Sequence, residues 1–148
     1  MNNLSGTIAV IVIGLIGGVA VGLQGPMSGA MSQRLGALGS SLIIHVGGAI
    51  VSSLLLLFAG GFHLEKLRGL PFPYFFAGCF GVILYLTFAY TLPRVGVTVT
   101  TALLILAQMS IGLLLDQFGW LGVPQHSINL VRLAGVAALM LGAYLVAR

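Results

Sequence analysis

The chain has 148 residues, of which 59% are apolar and 5% charged, with six basic and two acidic side chains. A soluble domain carries about a quarter charged residues, so this composition excludes an ordinary water-soluble globule and points to membrane-spanning helices. The net charge of +4 is spread singly between apolar runs and makes no basic patch, so nucleic acid is not an expected partner and the lipid bilayer is.

In chain order, Met1-Asn2-Asn3-Leu4-Ser5 lacks the basic region and small-residue cleavage site of a signal peptide, so the first apolar run is expected to be retained. That run predicts a first helix over 6–34, because no charge appears before Arg34, with a bend at Gly25-Pro26. The glycine-rich turn Gly36-Ala37-Leu38-Gly39 leads to a second helix over 40–59, capped by Ser40 or Ser41. Residues 60–71 hold Glu65, Lys66 and Arg68 and form the most polar stretch. A third helix is predicted over 73–92, stopped by Pro93, with Phe72, Tyr74, Phe75 and Phe76 as an interfacial aromatic belt. A fourth covers 96–118. Trp120 then marks the other interface and Gly122-Val123-Pro124 a turn. The fifth covers 128–147, with Ser127 as its cap.

The later runs are each about the twenty residues that a helix needs to cross a hydrocarbon core of roughly 30 Å, and the first, about thirty, is expected to tilt or bend. The polar/apolar alternation of a membrane β-barrel is absent. With no internal repeat and no linker in view, the expectation is an all-α integral membrane protein of five helices in one transmembrane domain, 1–148.

Five spans place the termini on opposite sides. Lys66, Arg68 and Arg132 then fall on one side, and Arg34, Arg94 and Arg148 on the other. Basic bias in short loops sets orientation, and here the two sides balance. The expectation is insertion both ways up, with two copies pairing antiparallel. Such a pair has the inverted symmetry of many secondary transporters, whose solute site lies near the midplane.

Polar residues within the spans are the candidate site. Gln24, beside the predicted bend and on one face with Gly17 and Ala20, either lines a cavity or ties two helices together. Gln108 lies near the middle of the fourth span, with Thr101, Ile105 and Gly112 on its side, and faces protein or water because a bare amide in hydrocarbon is costly. His45 is either a hydrogen-bonded packing residue or a ligand contact. Tyr85 is a further substrate-binding candidate, and Tyr90, Ser52 and Ser53 are weaker ones. Asp116, near a span end, is expected to pair with an arginine of either subunit. Gly18 and Gly22 form a G-x-x-x-G step, and Gly135 and Gly142, seven apart on the last helix, are either a dimer-packing face or an intrachain one. Cys79 reads as a small buried hydrophobe. No histidine pair stands at metal-ligand spacing, no triad-like set shares a face, and no phosphate-binding loop is present. No metal, cofactor or enzymatic activity is therefore expected, nor ATP-driven transport by this chain alone.

The stretch from Val95 through Thr101, then Ala107-Gln108, Gly112 through Asp116, Gly122-Val123-Pro124 and the closing Gly142 through Arg148, resembles the short five-helix branch of the drug/metabolite transporter superfamily. Gln24 and the region from Gly36 to Gly48 are similar to its N-terminal half. That branch is a group of bacterial inner-membrane proteins of unknown function, commonly labelled exporters. The resemblance implies one inverted-repeat half of a ten-helix transporter bundle, completed by an upside-down second copy. The smaller four-helix multidrug exporters carry a similar glycine pair in their last helix, and a first-helix glutamate used in proton coupling. This chain has no acid there. Gln24 is its nearest polar residue, so a neutral or zwitterionic solute is at least as well matched as a cation.

The expected function is export of a small metabolite or drug-like solute across the cytoplasmic (inner) membrane by alternating access, as an antiparallel homodimer. The alternative is a non-transporting membrane subunit or assembly factor that binds a partner membrane protein.

Overall fold

The computed structural model describes residues 3–61 and 64–148, without the side chains of Asn3, Ser5, Leu64 and Lys66. The reading of the first two residues, and the Lys66 charge, lie outside the described residues.

Among the described residues every regular element is helical and there is no strand. Helix α1 (Asn3–Phe58) is followed by 3-10 turns at Leu64–Gly69 and Phe72–Phe76. Helix α2 (Ala77–Phe118), a 3-10 turn at Trp120–Gly122 and helix α3 (Leu130–Val146) complete the chain. Val and Ile are stiff at the first side-chain torsion and only modest helix formers in water. In hydrocarbon, where a backbone group finds no water, a helix satisfies every group within the segment.

The two long helices are each interrupted at one glycine. In α1 the helical dihedrals are lost at Gly36 (φ 75°, ψ 161°), and in α2 at Gly96 (φ 76°, ψ 175°). That region of backbone space is essentially open to glycine alone. Helical segments 3–35 and 37–58 thus flank Gly36, and 77–95 and 97–118 flank Gly96. The two breaks share their local sequence. Arg34-Leu35-Gly36 and Arg94-Val95-Gly96 are each followed, four residues on, by a pair of hydroxyl residues, Ser40-Ser41 and Thr100-Thr101.

Several expected boundaries move. The turn expected over Gly36 to Gly39 is the single residue Gly36, and Gly39 is helical. Pro26 lies inside a helix whose dihedrals stay helical around it, so the backbone break falls at Gly36 and not at Gly25-Pro26. Pro93 does not stop its helix; Gly96 does. A proline deletes one hydrogen bond, whereas the Gly96 backbone leaves the helix altogether. The third helix begins at Ala77, after a 3-10 turn that holds the aromatic belt, and not at Pro73. The last helix begins at Leu130, and its cap is Asn129, whose side chain accepts from the Arg132 N–H at 2.9 Å, rather than Ser127.

Burial runs opposite to that of a soluble protein. Among the described residues the buried polar ones are Ser28, Ser40, Ser41 and Thr100, and the buried large hydrophobic ones Tyr85, Phe88 and Val136. Leucines, isoleucines and valines point outward along α1, and none of its most apolar window is buried. A core helix of a soluble protein hides such a face. An apolar outside over a small, polar inside is the arrangement that lipid favours. Cys79 is also exposed, contrary to its reading as a buried hydrophobe.

The chain groups into two compact units, one up to Pro93 and one from Arg94 to Arg148. In the first, Gly25 and Gly29 admit the segment 77–95. A Cβ on Gly25 would lie 3.2 Å from Phe88 Cε1, and one on Gly29 2.8 Å from Leu92 Cδ1. Gly81 similarly admits His45, whose Nε2 lies 2.6 Å from where a Cβ would be. The G-x-x-x-G step that makes close contact is therefore Gly25/Gly29. Around Gly18 and Gly22 nothing lies within 4 Å. In the second unit, segment 97–118 and α3 are joined by a hydrogen-bonded loop.

Candidate functional site

In the first unit, the helical repeat places Ser41 and His45 one turn apart on 37–58. His45 Nδ1 lies 2.7 Å from the Ser41 carbonyl and 3.3 Å from its hydroxyl. A carbonyl only accepts, so Nδ1 carries the proton in this contact. The imidazole meets Tyr85 edge to face at 5.2 Å between centroids, and Tyr85 meets Phe88 at 6.3 Å. His45, Tyr85 and Phe88 thus form an aromatic row in the first unit. Two of the predicted site residues, His45 and Tyr85, are brought together there. Gln24 belongs to the same unit but is exposed, and among the described residues its amide has no hydrogen-bond partner. Tyr90 is also exposed, and Ser53 spends its hydroxyl on the Ala49 carbonyl at 2.8 Å.

In the second unit, Gln108 opens onto a cleft of about 320 Å³. Segment 97–118 presents Gln108, Gly112 and Asp116 at successive turns, with Met109 and Leu113 beside them. From α3 come Arg132, Gly135, Val136 and Leu139. Asp116 Oδ2 takes a 2.8 Å hydrogen bond from Arg132 Nη2, and both side chains are about one-third exposed (33% and 32%). The expected pairing of Asp116 with an arginine is thus made within the chain.

The loop between the helices holds this pair in place. Arg132 Nη1 donates to the His126 carbonyl at 3.1 Å, and the His126 N–H donates to the Asp116 carbonyl at 2.8 Å. Gln117 accepts from the Ile128 N–H at 2.6 Å, and Gln125 donates back to the Gln117 carbonyl at 2.8 Å. Both ends of the ion pair are therefore tied into the loop, an arrangement that lowers the ordering cost of any contact made there.

A second cleft in this unit, about 460 Å³, is lined by Thr98, Thr101, Ile105, Leu139 and Gly142 among others. Gly135 and Gly142 thus border separate clefts, and a Cβ on either would meet nothing within 4 Å.

Sequence reading treated Asp116 only as half of a structural pair and placed Arg132 only in the charge tally. Their shared cleft with Gln108 was missed. The spacing Gln108, Gly112, Asp116 on one helix face was the available signal, but nothing in it named Arg132 as the facing residue. Among the described residues no three His, Cys, Asp or Glu side chains group as a metal site. The polar groups present suit polar recognition: an amide, a carboxylate and a guanidinium over an apolar lining.

No curated protein and no solved structure matches the chain. A sequence profile of one protein family does, over residues 9–145. It covers both halves, so the resemblance carried mainly by the C-terminal half extends along nearly the whole chain. The chain belongs to the family described as "Putative inner membrane exporter, YdcZ".

Proposed function

We propose that this chain is half of a small-molecule exporter, completed by a second copy inserted upside down. The observation that carries the reading is that Gln24 and Gln108, amides far inside apolar helices, stand exposed in the single chain, with no hydrogen-bond partner among the described residues. In hydrocarbon an unpaired amide is costly, so each calls for cover by another protein surface or by a water-filled path. A second copy around a solute path supplies both.

Further support comes from length and charge. An unbroken helix of 56 residues would measure about 80 Å, far beyond a hydrocarbon core of roughly 30 Å. The breaks at Gly36 and Gly96 divide the two long helices into 3–35, 37–58, 77–95 and 97–118. The last three are near spanning length, the first is long enough to cross with tilt, and with α3 they supply the five crossings of this reading. An odd number of crossings and three basic residues on each side leave neither orientation favoured. The family description, an inner membrane exporter, supports outward movement as the direction of this reading.

In this reading the chain is a multi-pass protein and not an enzyme, and it needs no cofactor. Solute crosses by rocking of the two copies around a polar path. Gln24 and Gln108 each contribute an amide to solute passage, His45 and Tyr85 are further candidates for its lining, and Gly142, outside the Gln108 cleft, leaves room for helix packing between copies. The solute is neutral or zwitterionic, because no acid stands in the first helix to neutralise a cation.

The test is topology. Reporters that are active on only one side of the membrane, fused in turn to each terminus, are expected to show both termini on both sides in comparable amounts. Versions locked each way by lysines added to one loop set should be inactive singly and active together. A single orientation, or full activity from one locked form alone, overturns the proposal.

A further inference from the structure

We infer that the cleft holding Asp116, Arg132 and Gln108 binds a small zwitterion, an ammonium joined to a carboxylate or phosphate, with an aliphatic portion lying along its apolar wall. This names a solute class for the exporter and rests on the transport reading above.

The unused bonding capacity of the cleft sets the class. Asp116 spends Oδ2 on Arg132, and among the described residues its Oδ1 has no partner. Arg132 spends one N–H on Asp116, one on the His126 carbonyl, and retains others. The Gln108 amide, two turns away on the same helix face, offers both a donor and an acceptor. An ammonium on Oδ1 and an anionic oxygen on the free guanidinium N–H groups would set a second ion pair beside the first.

Charge balance decides between solutes. The resident pair is neutral, and the cleft wall is Met109, Leu113, Val136 and Leu139. A cation or an anion would leave one of three charges uncompensated beside this apolar wall, which is costly where water is partly excluded. A zwitterion brings none. Room for it comes from two glycines. Gly112 and Gly135 line the cleft from opposite helices, and a Cβ on either would find open space.

The same chemistry is offered by a free amino acid and by an ethanolamine phosphate headgroup, and binding assays separate them. The full chain in phosphatidylglycerol nanodiscs, which present no zwitterionic headgroup, would be titrated with L-leucine, leucinamide, N-acetylleucine and glycerophosphoethanolamine. The expected result is binding of leucine or of glycerophosphoethanolamine, with leucinamide and N-acetylleucine at least about tenfold weaker. Whichever zwitterion binds identifies the source.

Gln108→Ala and Gly112→Val leave the ion pair untouched, and each is expected to weaken binding about tenfold or more at an unchanged melting temperature. The double variant Asp116→Asn/Arg132→Gln, which keeps a neutral hydrogen-bonded pair, should abolish it. Absence of binding by both zwitterions, equal binding of the singly charged analogues, or wild-type affinity in folded Gly112→Val overturns the inference. Liposome flux keeps the two readings apart. Leucine bound by wild type and lost in the variants, but never transported, sinks the exporter and leaves the site standing. Leucine transported equally well by Gly112→Val sinks the site and leaves the exporter.

Discussion

The joints at Gly36 and Gly96 begin alike and end differently. Both follow Arg-x-Gly, both hold the glycine near φ 75° with an extended ψ, and both place a hydroxyl residue four positions on with 1% of its surface exposed. Elsewhere in these helices hydroxyls bond backwards along their own helix. Ser32 reaches the Gly29 carbonyl, Thr87 that of Ile83, Thr91 that of Thr87 and Ser110 that of Leu106, at 2.8–2.9 Å. For Ser40 and Thr100 the carbonyl four residues back belongs to the broken glycine. Ser40 instead donates across its joint to the Ser28 carbonyl at 3.2 Å, whereas Thr100 Oγ1 is buried and has no partner among the described residues. The same local sequence fixes the backbone of a joint but not the fate of its hydroxyl, which depends on what the neighbouring helix offers.

The strongest way to break the likeness is to deny both joints their backbone. Alanine at Gly36 or Gly96 must adopt a region reserved for glycine, at a cost of about 1–3 kcal/mol each. Gly39→Ala is the control. Gly39 is helical and its Cβ would meet Leu35 Cβ at an ordinary 3.5 Å, so this change should stay within about 0.5 kcal/mol. Unfolding midpoints in a denaturing-detergent titration measure all three. Equal losses at Gly36 and Gly96 with none at Gly39 would establish two equivalent joints. A harmless Gly96→Ala would leave only one.

These joints also mark how far the sequence could be read. An all-helical chain follows from composition, and the breaks fall near Gly36 and Gly96 because glycine, proline and charge cluster there. Which residue breaks the helix did not follow. Pro93 looks like the stop, yet a proline costs one hydrogen bond and a helix can carry it, while only the backbone itself reveals a positive φ at Gly96. Likewise Gly18/Gly22 and Gly25/Gly29 are the same motif. What separates them is that Phe88 and Leu92 face the second pair, a long-range fact that no local pattern records. The placement of the candidate residues was legible to a similar degree. His45 and Tyr85 were candidates and do meet, and Asp116 was expected to find an arginine. The identity of Arg132 depends on the path of a loop held by Gln117, Gln125 and His126, and so needed coordinates.

A smaller effect sharpens the contrast from the bonded side. Ser40→Ala removes the hydroxyl that links Ser40 to Ser28. Hydrogen bonds between membrane helices are worth about 0.6 kcal/mol on average and reach about 1.7. The expected loss is therefore about 0.5–1.5 kcal/mol, below that of Gly36→Ala. The Ser28 carbonyl keeps its own helical acceptor role, so no orphan is created and the cost stays modest. A loss equal to that of Gly36→Ala would mean that this bond, and not the glycine backbone, holds the joint.

The smallest effect, and the one of opposite sign, belongs to Thr100→Val. The two side chains have nearly the same shape, so the substitution exchanges one hydroxyl for one methyl at a site with 1% of its surface exposed. An unsatisfied buried hydroxyl costs about 1–3 kcal/mol relative to a bonded one, and replacing it with an apolar group of the same shape removes that cost. The midpoint is expected to rise slightly, by up to about 1 kcal/mol, where Ser40→Ala lowers it. If Thr100→Val instead destabilises as much as Ser40→Ala, the hydroxyl has a partner in the membrane-embedded protein, and the two joints are alike in bonding as well as in backbone. A neutral or stabilising outcome in which transport is nonetheless lost would place Thr100 on the solute path, where a hydroxyl left free by its own chain is available to what passes through.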